Sequence, residues 1–140
     1  MINKLISGIA AALGSEFGEG YQIHTENMEQ SVPKPCFFIT CVSPKRELYR
    51  DRRYYLRNLF MVQYFPNGPA YRNQCMAVLE RLYQALESVE IDGRPIYGTG
   101  MEGEYADQAL QFKVNYNTFA DKAESGDSME TLEQQIEVKG

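Results

Sequence analysis

Leu110-Gln111-Phe112-Lys113-Val114-Asn115-Tyr116-Asn117 alternates apolar and polar side chains without an error. A period of two sets Leu110, Phe112, Val114 and Tyr116 on one face of a strand, and an apolar sheet face needs a cover. Upstream, Cys75, Val78, Leu79, Leu82, Leu86 and Val89 recur at steps of three and four, the stripe of an amphipathic helix. Pro69 stands near its start, where a missing N–H is harmless. This helix has to pack on a sheet.

Outward from this pair the remaining elements follow. Ile91-Asp92-Gly93-Arg94-Pro95-Ile96 carries an Asp-Gly turn between apolar flanks, the composition of a tight hairpin, and residues 101–105 form a further short strand. Residues 54–65 read as a strand with Leu56, Phe60, Val62 and Tyr64 on one face, stopped by Pro66-Asn67-Gly68-Pro69. Cys36 to Val42, aromatic and β-branched between Pro35 and Pro44, is a buried strand that Pro44 ends. Together these two strands make a hairpin. Residues 21–25 are a short strand followed by a polar connection over 27–34. Ile2, Leu5, Ile6, Ile9, Leu13 and Phe17 stripe an opening helix that Gly18 and Gly20 stop. The order predicts an α+β fold: a mainly antiparallel sheet with two amphipathic helices packed on one side, a basic β-hairpin and a C-terminal arm. The body spans 1–120 and the acidic arm 121–140.

The chain's 140 residues suit one domain and exclude two independent catalytic ones. With 44% hydrophobic and 24% charged residues, the composition is that of a soluble globular protein. Fourteen basic against nineteen acidic side chains give a net charge of -5, which argues against nucleic acid held over the whole surface. No stretch approaches the roughly eighteen apolar residues of a membrane helix, and residues 1–20 lack the basic flank and dense apolar core of a leader. The expected compartment is the cytoplasm. Cys36, Cys41 and Cys75 are odd in number and unpatterned, which fits reduced, buried thiols.

Gly98-Thr99-Gly100-Met101-Glu102-Gly103 has the spacing of a dinucleotide-binding loop, with Asp121 where a ribose-binding acid would lie. Such a loop must open onto a helix, and here the next periodic segment is a strand, so the glycines read as turns or a bulged strand. No cofactor is expected. His24 is the only histidine, so no two-histidine metal site and no histidine pair for acid–base work can form in one chain. Cys36 and Cys41, an odd number of residues apart on a strand, point to opposite faces and do not share a metal unless the strand is bulged. The acidic residues are scattered in turns and on helix faces, and no catalytic carboxylate pair stands out.

One charge cluster does stand out. Residues 45–57 hold six basic side chains (Lys45, Arg46, Arg50, Arg52, Arg53 and Arg57) against Glu47 and Asp51. A net +4 there leaves -9 for the rest of a chain whose total is -5. Tyr49, Tyr54 and Tyr55 interleave with the arginines, a mixture that suits phosphate or single-strand contacts and equally a protein interface. In an acidic chain the protein partner is favoured. The arm carries six acidic and two basic residues, with Met129, Leu132 and Ile136 as its only helix-like stripe, and is expected to order against a neighbour.

The N-terminal "MINKLISGIAAALGSEFGEGYQIHTENMEQ", the strands "PCFFITCV" and "FMVQYFP", the turn "VEIDGRPIYGTGM", the strand "LQFKVNYNTF" and the terminal "EVKG" resemble, in pattern and order, the tail terminators of phages and prophages of Gram-positive bacteria. The resemblance covers nearly the whole chain. It implies a structural, non-enzymatic protein of the virion, assembled in the host cytoplasm, at the head-proximal end of the tail. There a homo-oligomeric ring, usually hexameric, stops growth of the tail tube. The implied partners are the tail tube protein, a head-completion or connector protein and, where there is a sheath, its terminal ring. DNA would pass through the lumen without specific binding, which a lumen poor in phosphate-binding cations serves. No membrane is implied. The alternatives are a head-closure or head–tail joining protein, a small nucleic-acid-binding module using Arg50, Arg52, Arg53 and Tyr54, and a thiol enzyme built on one of the cysteines.

Overall fold

The computed structural model describes residues 1–25, 35–50, 53–68 and 71–121. The elements run α1 (Ile2–Phe17), β1 (Gln22–His24), β2 (Cys36–Arg50), β3 (Arg53–Phe65), α2 (Tyr71–Ala85), β4 (Ser88–Ile91), β5 (Arg94–Ala106), β6 (Ala109–Tyr116) and β7 (Thr118–Asp121). The sheet order is β1-β2-β3-β6-β5-β4, with β7 paired to β3. Only β1 with β2 is parallel among the pairs whose register is described. The described residues fall into two compact units: 1–44 with 58–117, and 45–57 with 118–121.

In the first unit the predicted stripes become the core. Leu5, Ile9, Leu13 and Phe17 of α1 are buried, and Gly18 at φ 81° stops the helix while its N–H bonds the Gly14 carbonyl at 3.0 Å. Cys75, Val78 and Leu82 of α2 are buried in the same cluster. Beneath them, β3 and β6 pair Phe60 with Val114, Val62 with Phe112 and Tyr64 with Leu110, every one of them buried. Phe17, Tyr21, Phe37 and Tyr64 close one end as a cluster of tilted rings, with centroids 4.8 to 6.1 Å apart. The fold is α+β, as expected, with both helices burying their stripes in one core with the sheet.

Two predicted boundaries move. Pro44 does not end its strand, because β2 continues to Arg50. β1 pairs only as far as Phe38, so past that point β2 has a single neighbour among the described strands, and a residue without an N–H is tolerated on the other side. Val89 leaves the helix: α2 ends at Ala85 and Val89 pairs with Ile96 in the β4–β5 hairpin. Asp92 at φ 53° and Gly93 at φ 80° give that hairpin its two-residue turn, and the left-handed pair pulls the preceding β-branched residues into a strand.

The glycine-rich stretch 98–103 lies inside β5, with a register shift between Thr99 and Glu102, and leads through Asp107-Gln108 into β6. It opens onto no helix. Its glycines instead let α2 and its C-terminal turn lie close to the sheet. A Cβ on Gly98 would stand 3.0 Å from the Leu86 carbonyl and 2.8 Å from Val114, and one on Gly103 would stand 2.5 Å from Leu79. No helix among the described residues is long and apolar enough to cross a membrane.

Cys36 and Cys75 are buried thiols and Cys41 is half-buried, packed with Phe37 and Ile39 against the core. Burial pushes the Cys75 and Cys41 thiols up, with a hydrogen bond to the Ser43 backbone partly offsetting the rise at Cys41. Raised values leave less thiolate at neutral pH. Iodoacetamide at pH 7.5 should therefore modify neither residue within minutes in the native protein and all three cysteines after unfolding in urea. A native cysteine that alkylates selectively and fast would restore the thiol-enzyme reading. In urea unfolding, Gly98→Ala should lose about 1–3 kcal/mol because its methyl meets a fixed carbonyl. Gly14→Ala, exposed on α1 with nothing within 4 Å, should gain about 0.5–1 kcal/mol.

Candidate functional site

The second unit is the outer half of the β2–β3 hairpin with β7 alongside. β7 pairs Thr118 with Leu56, Phe119 with Tyr55, Ala120 with Tyr54 and Asp121 with Arg53. This register sets Phe119 beside Tyr55, ring centroids 5.0 Å apart, and Tyr49 meets Phe119 edge-on at 5.2 Å. Odd-numbered residues of the three strands thus gather on one face, as a period of two requires. Glu47, Leu48, Tyr49, Tyr55, Arg57 and Phe119 line a groove of about 390 Å³ there. Leu48, Tyr49 and Phe119 remain 57%, 53% and 41% exposed, an apolar surface that a solvated hairpin tip has no need of.

Cations surround this floor. The Arg53 guanidinium lies 4.6 Å over the Phe119 ring and that of Arg57 5.3 Å over Tyr55, with Arg57 Nε also 3.3 Å from Glu47 Oε1. Arg50 stands 5.2 Å over Tyr49, and on the other face Arg46 stacks 4.5 Å over Tyr54. Each stacking contributes about 0.5–1 kcal/mol at exposed sites, and the Arg57–Glu47 pair, about half exposed on both sides, no more than about 1 kcal/mol. The hairpin therefore holds its arginines against its own rings.

Of the residues singled out in sequence, Lys45, Arg46, Arg50, Arg53 and Arg57 are exposed on this unit and Tyr54 is half-buried. Arg52, Met129, Leu132 and Ile136 lie outside the described residues. The sequence reading missed Phe119, the ring on which Tyr49, Tyr55 and Arg53 converge. Its one signal is a lone aromatic just past the end of a strand, out of phase with Tyr116; only the pairing with β3 gives it neighbours. His24 is half-buried on β1 and its buried Nε2 bonds no described residue. Among the described residues no three His, Cys, Asp or Glu side chains are grouped to hold a metal. In the first unit a second concavity of about 420 Å³ runs between α1 and β4, its rim tied by Lys4 to Asp92 at 2.9 Å. It gathers no convergent set of charges.

Comparison of the sequence with family models identifies one family. The sequence model described as "Phage tail terminator protein" matches residues 4–128. No curated protein matches the chain. Among solved structures, the chain is similar in fold to the sheath/tube terminator, in its extended state, of the extracellular contractile injection system PVC. That likeness has a TM-score of 0.52 at 13% identity and covers 99% of this chain and 65% of that one, so the chain spans just under two thirds of that protein's length. The match over nearly all of the folded body places this α+β chain, with its basic and aromatic hairpin, in the phage tail terminator family, as a structural component of the virion tail.

Proposed function

We propose that this protein ends tail growth by closing a ring, of six copies, on the head-proximal end of the tail tube, and that the ring's outer face receives the head-completion or connector protein. The observation that carries the reading is the family match across residues 4–128. The fold likeness to a terminator of sheath and tube supports it, and extends the proposal to a sheath's terminal ring where the tail has one. No catalytic step is part of this role.

The surface chemistry fits it. A ring threaded by DNA works best with a lumen that releases phosphate, and a chain at -5 whose positive charge is concentrated in 45–57 can keep its cations away from such a lumen. The hairpin then serves as an anchor on protein. Arginine and tyrosine in this mixture serve protein and single-strand contacts alike, and in a chain of net charge -5 the nucleic-acid module is the weaker reading.

Closed rings should appear by electron microscopy and light scattering, either free or on isolated tail tubes. A protein that stays monomeric and also fails to bind tubes would sink the proposal. Converting Arg50, Arg52 and Arg53 to glutamate should leave the thermal unfolding of the body nearly unchanged and sharply weaken assembly. Assembly of the wild-type protein should loosen as salt rises and screens the contact. If the variant assembles normally while DNA affinity collapses, the hairpin is a nucleic-acid site.

A further inference from the structure

The hairpin groove asks for an occupant of mixed chemistry: apolar groups for a floor of Tyr49, Tyr55 and Phe119, and carboxylates to answer the net +4 of residues 45–57. Few segments offer both. Residues 122–140 of this chain do, with Met129, Leu132 and Ile136 at steps of three and four among Glu124, Asp127, Glu130, Glu133 and Glu137, against only Lys122 and Lys139. We propose that the groove of one copy holds residues 122–140 of a neighbouring copy. The inference rests on the ring reading above, and names the contact that joins its subunits.

The direction of β7 favours the neighbour over the chain's own segment. Thr118 lies opposite Leu56 and Asp121 opposite Arg53, so the backbone leaves β7 heading towards the turn between β2 and β3. The groove residues Tyr55, Arg57 and Glu47 lie behind that exit, back along the strands. To fill its own groove the segment would have to reverse against the direction in which β7 ends. Nineteen residues reach up to about 60 Å when extended, ample to span to an adjacent subunit. The contact is heterologous, groove to segment, and such contacts close into rings when the rotation between copies permits. Charge complementarity favours it: residues 45–57 carry a net +4, and the acids of residues 122–140 outnumber their bases.

Cross-linking of full-length chains tests this. Tyr49→Cys and Leu132→Cys proteins, mixed under assembly conditions and mildly oxidised, should give an interchain disulfide between the two introduced thiols. Its yield should be enriched about tenfold over a control mixture of Thr99→Cys with Leu132→Cys, because docking raises the local thiol concentration. Mass spectrometry identifies the linked peptides against the background of the native thiols. Glu130→Lys, Glu133→Lys and Glu137→Lys in the Leu132→Cys chain should bring the yield to the control level, and Arg50→Glu with Arg53→Glu in the Tyr49→Cys chain should restore it. That rescue cannot come from misfolding. A yield no higher than the control, or no rescue, overturns the inference and leaves the groove to another protein. A chain carrying both Tyr49→Cys and Leu132→Cys that forms only the intrachain disulfide also overturns it, since the segment then fills its own groove. Capping of tail tubes, measured on the same proteins, separates the two readings: capping without the cross-link removes this contact alone, and the cross-link without rings or capping removes the terminator role.

Discussion

The antiparallel register of β3 and β6 is the constraint on which the first unit depends. It pairs positions of like parity, Phe60 with Val114 and Val62 with Phe112, so each buried side chain on one strand sits beside a buried one on the next. A slip by a single residue would turn four such side chains to the opposite face, each worth about 1.5–3 kcal/mol in apolar burial, and no loop adjustment could offset that. Polar groups fix the same register. Asn58, the buried polar side chain among the described residues, donates from Nδ2 to the Tyr116 carbonyl at 3.0 Å, and its backbone N–H bonds Asn117 Oδ1 at 3.2 Å. On the opposite face Gln63 Nε2 meets Gln111 Oε1 at 2.9 Å, a cross-strand pair at the other end of the ladder. An Asn58 shifted by one residue would lose both of its partners while remaining the wrong kind of group for an apolar neighbourhood.

From that ladder the helix α2 takes its position. Tyr116, at the end of β6, is fully buried and donates its hydroxyl to the Leu86 carbonyl at 2.6 Å, just beyond the last turn of α2. Burial pushes its phenol far above the ordinary tyrosine value, which keeps it a proton donor across the whole range in which the protein is handled. Beside it the N–H of Gly98 bonds the Glu87 carbonyl at 2.8 Å. The end of the helix is thus held by donors from two strands, and the missing side chains at Gly98 and Gly103 are what let it come so near. The glycines are spaced by where Leu79 and Leu86 touch the strand, which is why a pattern resembling a phosphate-binding loop arises inside β5.

Periodicity predicted whatever local chemistry dictates. The stripes of Leu5, Ile9 and Leu13, the alternation from Leu110 to Tyr116 and the turn at Asp92-Gly93 each lie within one element and owe nothing to partners elsewhere. The misreadings share a different cause. Pro44 breaks a strand only where both edges are paired, and nothing near it in sequence reveals that the pairing with β1 stops at Phe38. Val89 continues the helical stripe as well as it begins a strand, and the choice is made by its partner Ile96 and by a turn whose left-handed residues come after it. The candidate site divides in the same way. Its charge was visible as a count over thirteen positions, whereas Phe119, more than sixty residues away along the chain, joins it only through pairing with Tyr55.

The hairpin crowds like charges into a short two-stranded stretch, and stacking on Tyr49, Tyr54, Tyr55 and Phe119 holds four of its guanidinium groups in place. Glu47 answers one of them from an exposed position where an ion pair is worth little. The same stacking leaves Leu48, Tyr49 and Phe119 open to water and restrains the arginine side chains, so a partner that covers this face gains apolar burial while ordering fewer rotamers than free arginines would demand. Salt should oppose such a contact in proportion to its charge and leave its apolar part untouched. In the proposed ring the contact would be repeated around a closed assembly, each subunit being held on two sides by the same pair of surfaces, so that a contact weak in one copy would gain strength from its repetition.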